Sequence, residues 1–177
     1  FEVIGDVFEC LSDKMGSFCL RDEKKRPNFM NYFGWCTWDA FYHEVDAEKM
    51  EEGLKSFEKI GLLPGFVILD DGALSTEVDF LNSFEVSKEK FPNGLKSFVD
   101  KVKEKYGVKE FGLWHAFEGY WAGLNPEGEL AKKYGVVHNK GDIRPWIPDE
   151  PLYDLYLVSP EKVEAFFGDW YKHLSDE

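Results

Sequence analysis

The sequence predicts an α/β fold: a partial (β/α)8 TIM barrel, about the first three βα units, preceded by a short helix. Three observations carry that reading. Short apolar runs at residues 32–38, 66–69 and 110–117 stop at carboxylates, histidines or tryptophans. Each is followed by a stretch with apolar residues at helical spacing. No Gly-x-Gly-x-x-Gly and no Gly-Lys-Ser/Thr phosphate loop follows any of them, so a nucleotide fold lacks its signature. Strand then amphipathic helix, repeated, builds parallel sheets with right-handed crossovers. A full barrel takes about 250 residues; the chain has 177. It starts at Phe1 and stops at Glu177 inside a helical pattern, so both ends read as cut.

In chain order, Ile4, Val7, Phe8, Leu11 and Met15 form a helical stripe that Gly16 ends. Residues 21–28 form a charged loop. The first strand is Tyr32-Phe33-Gly34-Trp35-Cys36-Thr37-Trp38, with Asp39, Tyr42, His43 and Glu44 at its exit. Asp46 is the N-cap of a helix with Lys49 at N3, which leaves the capping box incomplete. Its stripe is Met50, Leu54, Phe57 and Ile60, and Gly61 ends it. The next strand is Phe66-Val67-Ile68-Leu69. An unbroken apolar run of this kind fits a strand buried on both faces. Asp70 and Asp71 cannot stay inside it unpaired, because a lone buried carboxylate is costly. They belong at its C-terminal end, where parallel α/β folds bind ligands.

A polar loop is expected over residues 73–91. Pro92 then opens a helix with the stripe Leu95, Phe98, Val99, Val102 and Tyr106, ended by Gly107. Residues 110–117 form the third strand, and Tyr120 and Trp121 lie in its exit loop. Residues 125–134 predict a short helix. Residues 135–151 read as irregular, with Pro145, Pro148, Pro151 and Trp146, and residues 155–158 as a brief extended piece. Ser159 and Pro160 fit N-cap and N1 of a last helix, whose stripe is Val163, Phe166, Phe167, Trp170 and Leu174.

Composition narrows the function classes. A net charge of −13 argues against nucleic acid or an anionic membrane as partner. No apolar run approaches the roughly 18 residues that span a bilayer. Cys10, Cys19 and Cys36 are odd in number and lack metal-ligand spacing, which predicts reduced thiols in a cytoplasmic protein. No cofactor motif is present.

The strand exits collect Trp38, Asp39 and His43, then Asp70 and Asp71, then Trp114, His115 and Trp121. Acceptor carboxylates beside indole faces suit a sugar: the carboxylates take hydroxyl hydrogens, and an indole covers the C–H side of the ring. A metal site at Asp70, Asp71 and His115 is the weaker reading, because no His-x-x-x-His or Cys-x-x-Cys accompanies them. His115 also fits a structural histidine, and Trp35 and Trp114 also fit core. A third class, a non-catalytic carbohydrate-binding or structural α/β domain, stays open on the residues alone.

The block 33–42 (Phe-Gly-Trp-Cys-Thr-Trp-Asp-Ala-Phe-Tyr), Ile68-Leu69-Asp70-Asp71-Gly72, and Leu113-Trp114-His115-Ala116 with Gly119-Tyr120-Trp121 stand in a telling order. Together they resemble the raffinose synthase and seed imbibition protein branch of glycoside hydrolase family 36. The resemblance implies a retaining α-galactosidase-type barrel, with residues 1–28 as lead-in helix and linker and 29–177 as its first, incomplete part. It implies a small oligosaccharide with an α-galactosyl group as ligand and the remainder of the barrel as partner. It maps galactose contacts onto Asp70 and Asp71 and pocket walls onto Trp35 and Trp114. Ala73-Leu74-Ser75 stands where plant members continue Trp-Gln-Ser, so the resemblance does not carry over to the subsite beyond galactose. The resemblance sets the nucleophile, in a Lys-x-Asp strand, and the acid/base beyond Glu177, so this chain by itself is expected to be silent. Asp70 and Asp71 cannot be the retaining pair, which needs carboxyls roughly 5 Å apart, because neighbours in a strand leave on opposite faces.

Overall fold

A computed structural model describes residues 2–143, 147, 149 and 151–176. Trp146, Pro145 and Pro148, in the segment read as irregular, lie outside the described residues. The chain divides into two compact units, Phe1–Tyr32 and Phe33–Glu177. In the first, helix α1 (Glu2–Met15) ends where Gly16 adopts φ +58° and donates to Ser12 O. Ser12 Oγ donates to Phe18 O at 2.9 Å, and Phe8 meets Phe18 edge-on.

The second unit holds the sheet. Strands β1 (Gly34–Cys36), β2 (Phe66–Leu69) and β5 (Glu110–Leu113) are parallel, with β2 in the centre. Helix α2 (Trp38–Phe41) follows β1, and α3 (Ala47–Lys59) leads into β2. Helix α4 (Gly94–Tyr106) leads into β5. This is the expected alternation. It amounts to an α/β unit with a three-stranded parallel sheet, not a closed barrel.

Asp46 caps α3 as expected, its carboxylate accepting the Lys49 N–H at 2.8 Å. Met50 and Leu54 of α3, Leu95, Phe98, Val99 and Val102 of α4, and Val67 and Leu69 of β2 form one buried core. Burial of each such side chain contributes about 1.5–3 kcal/mol before entropy is counted. The other face of β2, Phe66 and Ile68, is only half-buried. Burial on both faces is therefore not realised within this chain. Ile60 departs from its stripe too: it is the C-cap of α3 and 70% exposed.

Gly53 in the middle of α3 is explained by packing. A Cβ there would fall 2.4 Å from the far edge of the Trp35 indole, which lies on the helix at that point. Alanine is normally about 1 kcal/mol better than glycine inside a helix. Here Gly53→Ala is expected to lower stability instead, by about 1–3 kcal/mol of overpacking. A raised melting temperature in that variant would show that Trp35 does not occupy the groove.

Glu51 of α3 joins α4 by accepting from Lys101, from Lys105 (2.7 Å) and from Tyr106 Oη (3.1 Å). The two ammonium groups hold its carboxyl well below the usual range, at about 2 against 4.5. A depressed folded-state value stabilises above the unfolded value and is lost as pH falls through the folded one. The contribution is thus complete above about pH 4.5 and disappears toward pH 2, on the order of 1 kcal/mol after solvent screening. In acid titrations Glu51→Gln should unfold at a higher pH than wild type does, with the two converging near pH 2; parallel curves throughout would remove Glu51 from the acid transition.

Four expectations need correction. Residues 73–91 are not a plain loop: β3 (Leu74–Glu77) and β4 (Phe80–Val86) form an antiparallel hairpin with an irregular register between Leu74 and Thr76. Residues 135–151 are not wholly irregular either. Strand β6 (Val136–Gly141) pairs antiparallel with β7 (Tyr153–Val158), and both follow helix α5 (Glu129–Tyr134). The third strand stops at Leu113, so Trp114 and His115 lie past it. Pro160 opens a 3-10 turn before the last helix, α6 (Val163–Asp176), and Ser159 serves with its carbonyl, not its hydroxyl. Helix α6, α5 and the β3–β4 hairpin enclose a second core of Leu81, Leu124, Tyr134, Phe166 and Trp170. No helix among the described residues is long and apolar enough to cross a membrane.

Candidate functional site

Asp70 and Asp71 follow β2 directly, at the C-terminal end of the central strand. Their side chains diverge, as adjacent residues leaving a strand must. Asp70 is half-buried and faces β1. Its Oδ2 accepts from Cys36 Sγ at 2.8 Å, its Oδ1 accepts the Asp71 N–H at 2.7 Å, and its own N–H donates to the buried Thr37 Oγ1. Burial and the bond to Asp70 push the Cys36 thiol up, which keeps it protonated as that donor.

Asp71 is 3% exposed. Its Oδ1 accepts from Tyr120 Oη at 2.7 Å, and its Oδ2 accepts from Trp121 Nε1 at 2.7 Å. His43 Nε2 stands 3.1 Å from the same Oδ2. Three polar partners compensate a carboxylate that would otherwise be too costly to bury. A carboxylate offers about four lone-pair positions, so one remains for another donor. Burial first, and then the bond to Asp71, push the Tyr120 phenol well above its ordinary range, so it stays a donor.

These donors face a broad cavity of about 1110 Å³ whose walls include Trp38, His43, Gly72, Lys90, Tyr120 and Trp121. Trp38 meets the His43 ring edge-on at 5.0 Å and Tyr42 at 5.2 Å. Trp114 packs on Trp121 at 5.4 Å and stands edge-on to Tyr120 at 6.1 Å. Asp71 itself lies behind Tyr120, Trp121 and His43.

Of the residues singled out in the sequence, Trp38 and Trp121 line this cavity, Asp71 is hydrogen-bonded behind its wall, Trp114 packs on Trp121, and Asp70 turns toward Cys36. Trp35 and His115 are placed elsewhere. Trp35 pairs with Val67 across β1 and β2, so it shares the helix-facing side of the sheet, against Phe57 and Phe41. His115 turns to α6: its ring lies 4.6 Å from Trp170, and its Nε2 is 3.4 Å from Tyr171 Oη. His43 belongs to the strand-exit set that the sequence marks and Tyr120 to the third exit loop, whereas Thr37 and Lys90 carry no such mark. Among the described residues no group of three or more His, Cys, Asp or Glu is arranged to hold a metal ion.

Known proteins place the chain closely. The family model described as raffinose synthase or seed imbibition protein Sip1 matches residues 1–90 and 82–177. The Arabidopsis thaliana protein named "Probable galactinol–sucrose galactosyltransferase 6" is 40% identical over 204 residues, which covers 99% of this chain and 27% of that protein. Among solved structures, an α-galactosidase from Lactobacillus brevis superposes with a TM-score of 0.59 at 20% identity, over 88% of this chain and 20% of that one. A GH36 α-galactosidase, AgaA from Geobacillus stearothermophilus in complex with raffinose, gives 0.57 at 25% identity, over 85% of this chain and 20% of that one. The chain thus spans little more than a quarter of the length of the first relative.

Proposed function

Because the chain belongs to the raffinose synthase or seed imbibition protein family, we propose that it forms the galactosyl-binding part of a retaining α-galactoside-acting barrel enzyme, a hydrolase or galactosyltransferase. Its three parallel strands are the opening βα units of that barrel, and the rest of the barrel covers the half-buried face of β2. The ligand is a small oligosaccharide with a terminal α-galactosyl group. Asp70 and Asp71 accept its hydroxyls, and Trp38, Trp114 and Trp121 cover its C–H face. The nucleophile and acid/base lie beyond Glu177. Asp70 and Asp71 act as ligands and not as that pair, since one carboxylate turns to Cys36 and the other to Tyr120, Trp121 and His43.

The observation that carries this reading is the convergence on Asp71. A carboxylate at a strand exit is bonded by three partners that are themselves walls of one cavity. Preorganised acceptors beside aromatic faces are what a pyranose needs, and the sheet fixes them before any ligand arrives. The AgaA complex with raffinose agrees with the ligand class.

The test has two arms. Titration with galactose, followed by tryptophan fluorescence, should saturate, and the same titration with glucose should not. Incubation of the complete enzyme with galactinol and sucrose separates the activities, because raffinose as product means transfer and free galactose means hydrolysis. Equal response to glucose and galactose, with neither product formed, would leave the non-catalytic α/β domain as the better account.

A further inference from the structure

Lys90 lies past the β3–β4 hairpin, well removed in sequence from both strand exits, yet it joins them. Its ammonium donates to the main-chain carbonyl of His43, in the exit of β1, and to that of Gly72, in the turn after β2, at 2.6 Å. Its own carbonyl accepts the N–H of Ala47, the first residue of α3, at 3.1 Å. One residue thus ties three segments.

The segments are pressed together at that point. Gly72 has φ +106°, and a Cβ on it would stand 2.6 Å from both Cα and O of His43. Only glycine permits so close a backbone approach in that conformation. Two carbonyl dipoles then converge on one spot, and a half-buried acceptor without a donor is costly. An ammonium carries three donors and meets both. The position of His43 has a direct consequence, since its Nε2 stands 3.1 Å from Asp71 Oδ2, the oxygen that also receives the Trp121 indole.

We propose that Lys90 is a positioning residue: its ammonium staples the His43 loop to the Gly72 turn and so sets where Asp71 holds Trp121. The consequence for ligand binding rests on the galactosyl reading above; the staple does not. Lys90 donates to the main-chain carbonyls of His43 and Gly72, so its action on the site is indirect, through the loops.

The chain has six tryptophans, so its indole N–H resonances can be followed singly, with Trp121→Phe assigning the one of interest. Lys90→Met keeps the length of the side chain and removes its donors. The Trp121 indole N–H should then shift and exchange with solvent at least tenfold faster, with the Trp170 indole unchanged. Galactose affinity should fall about tenfold, and Lys90→Arg, which keeps charge and donors, should restore both to within a few-fold of wild type. If Lys90→Met does not fold, Lys90→Gln takes its place, and Trp121 exchange between that of wild type and of a solvent-exposed indole supports the staple. Wild-type exchange in Lys90→Met or Lys90→Gln overturns it, as does Lys90→Arg exchange as fast as that of Lys90→Met. A wild-type protein that ignores galactose, but whose Trp121 exchange still answers to Lys90, overturns the galactosyl reading and upholds the staple.

Discussion

In the complete enzyme, Asp71→Asn is expected to lower kcat/KM on an aryl α-galactoside by about 10²- to 10³-fold, the loss of a charged acceptor worth about 2–4 kcal/mol in the transition state. The surroundings of Asp71 sharpen this. Its oxygens face only donors: the Tyr120 hydroxyl on one, the Trp121 indole and His43 on the other. An amide must turn its NH2 toward at least one of them, which leaves donor against donor at a position 3% exposed. The substitution should therefore cost stability as well, about 1–3 kcal/mol, or some 2–4 °C of melting temperature for each in a chain of this size. Asp70→Asn separates the two effects. Its remaining oxygen can still accept the Asp71 N–H, and its NH2 would face the Cys36 sulfur, so the fold should be nearly undisturbed while turnover falls. Near-normal turnover in both variants would return Asp70 and Asp71 to the role of a strand-end turn, with Asp71 serving only to hold the aromatic wall.

Much of this was legible in the sequence because it is written in local patterns. The run Phe66-Val67-Ile68-Leu69 stopped by two carboxylates specifies a strand and the end at which chemistry gathers. Asp46 as N-cap and the stripe along α4 are equally local. What escaped depends on partners distant in the chain. The β3–β4 hairpin interrupts its alternation at the irregular register between Leu74 and Thr76, so no period of two announces it. Strand β6 has little exposed apolar patterning and is defined by its pairing with β7, residue for residue from Val136 opposite Val158 to Gly141 opposite Tyr153. The motif around Trp35 marks the residue but not its face. The face follows from the register with Val67, which sets Trp35 on the helix side and Cys36, opposite Ile68, on the other. Lys90 was invisible for the plainest reason: a lysine in a charged stretch carries no sign that its ammonium closes on two carbonyls.

His115 shows the same dependence, and Trp170 tests it. Trp170 is fully buried, stacked on Phe84 at 5.2 Å with 13° between planes, edge-on to Phe166 at 5.5 Å, and 4.6 Å from the His115 ring. Trp170→Ala should cost about 3–5 kcal/mol, because the transfer of so large a ring is lost and a cavity is left among rigid aromatics. In a chain of this length that is on the order of 10 °C in melting temperature. Trp170→Phe should cost much less, about 1–2 kcal/mol, for a reason beyond its volume. The indole Nε1 is buried with no hydrogen-bond partner among the described residues, and phenylalanine removes that unsatisfied donor along with part of the ring. The readout that bears on function is galactose affinity in the folded Trp170→Phe protein. If His115 belongs to the second core, as its contacts with Trp170 and Tyr171 place it, affinity should stay within a few-fold of wild type while stability falls. A tenfold loss of affinity at unchanged stability would put His115 back among the sugar ligands that the sequence suggested.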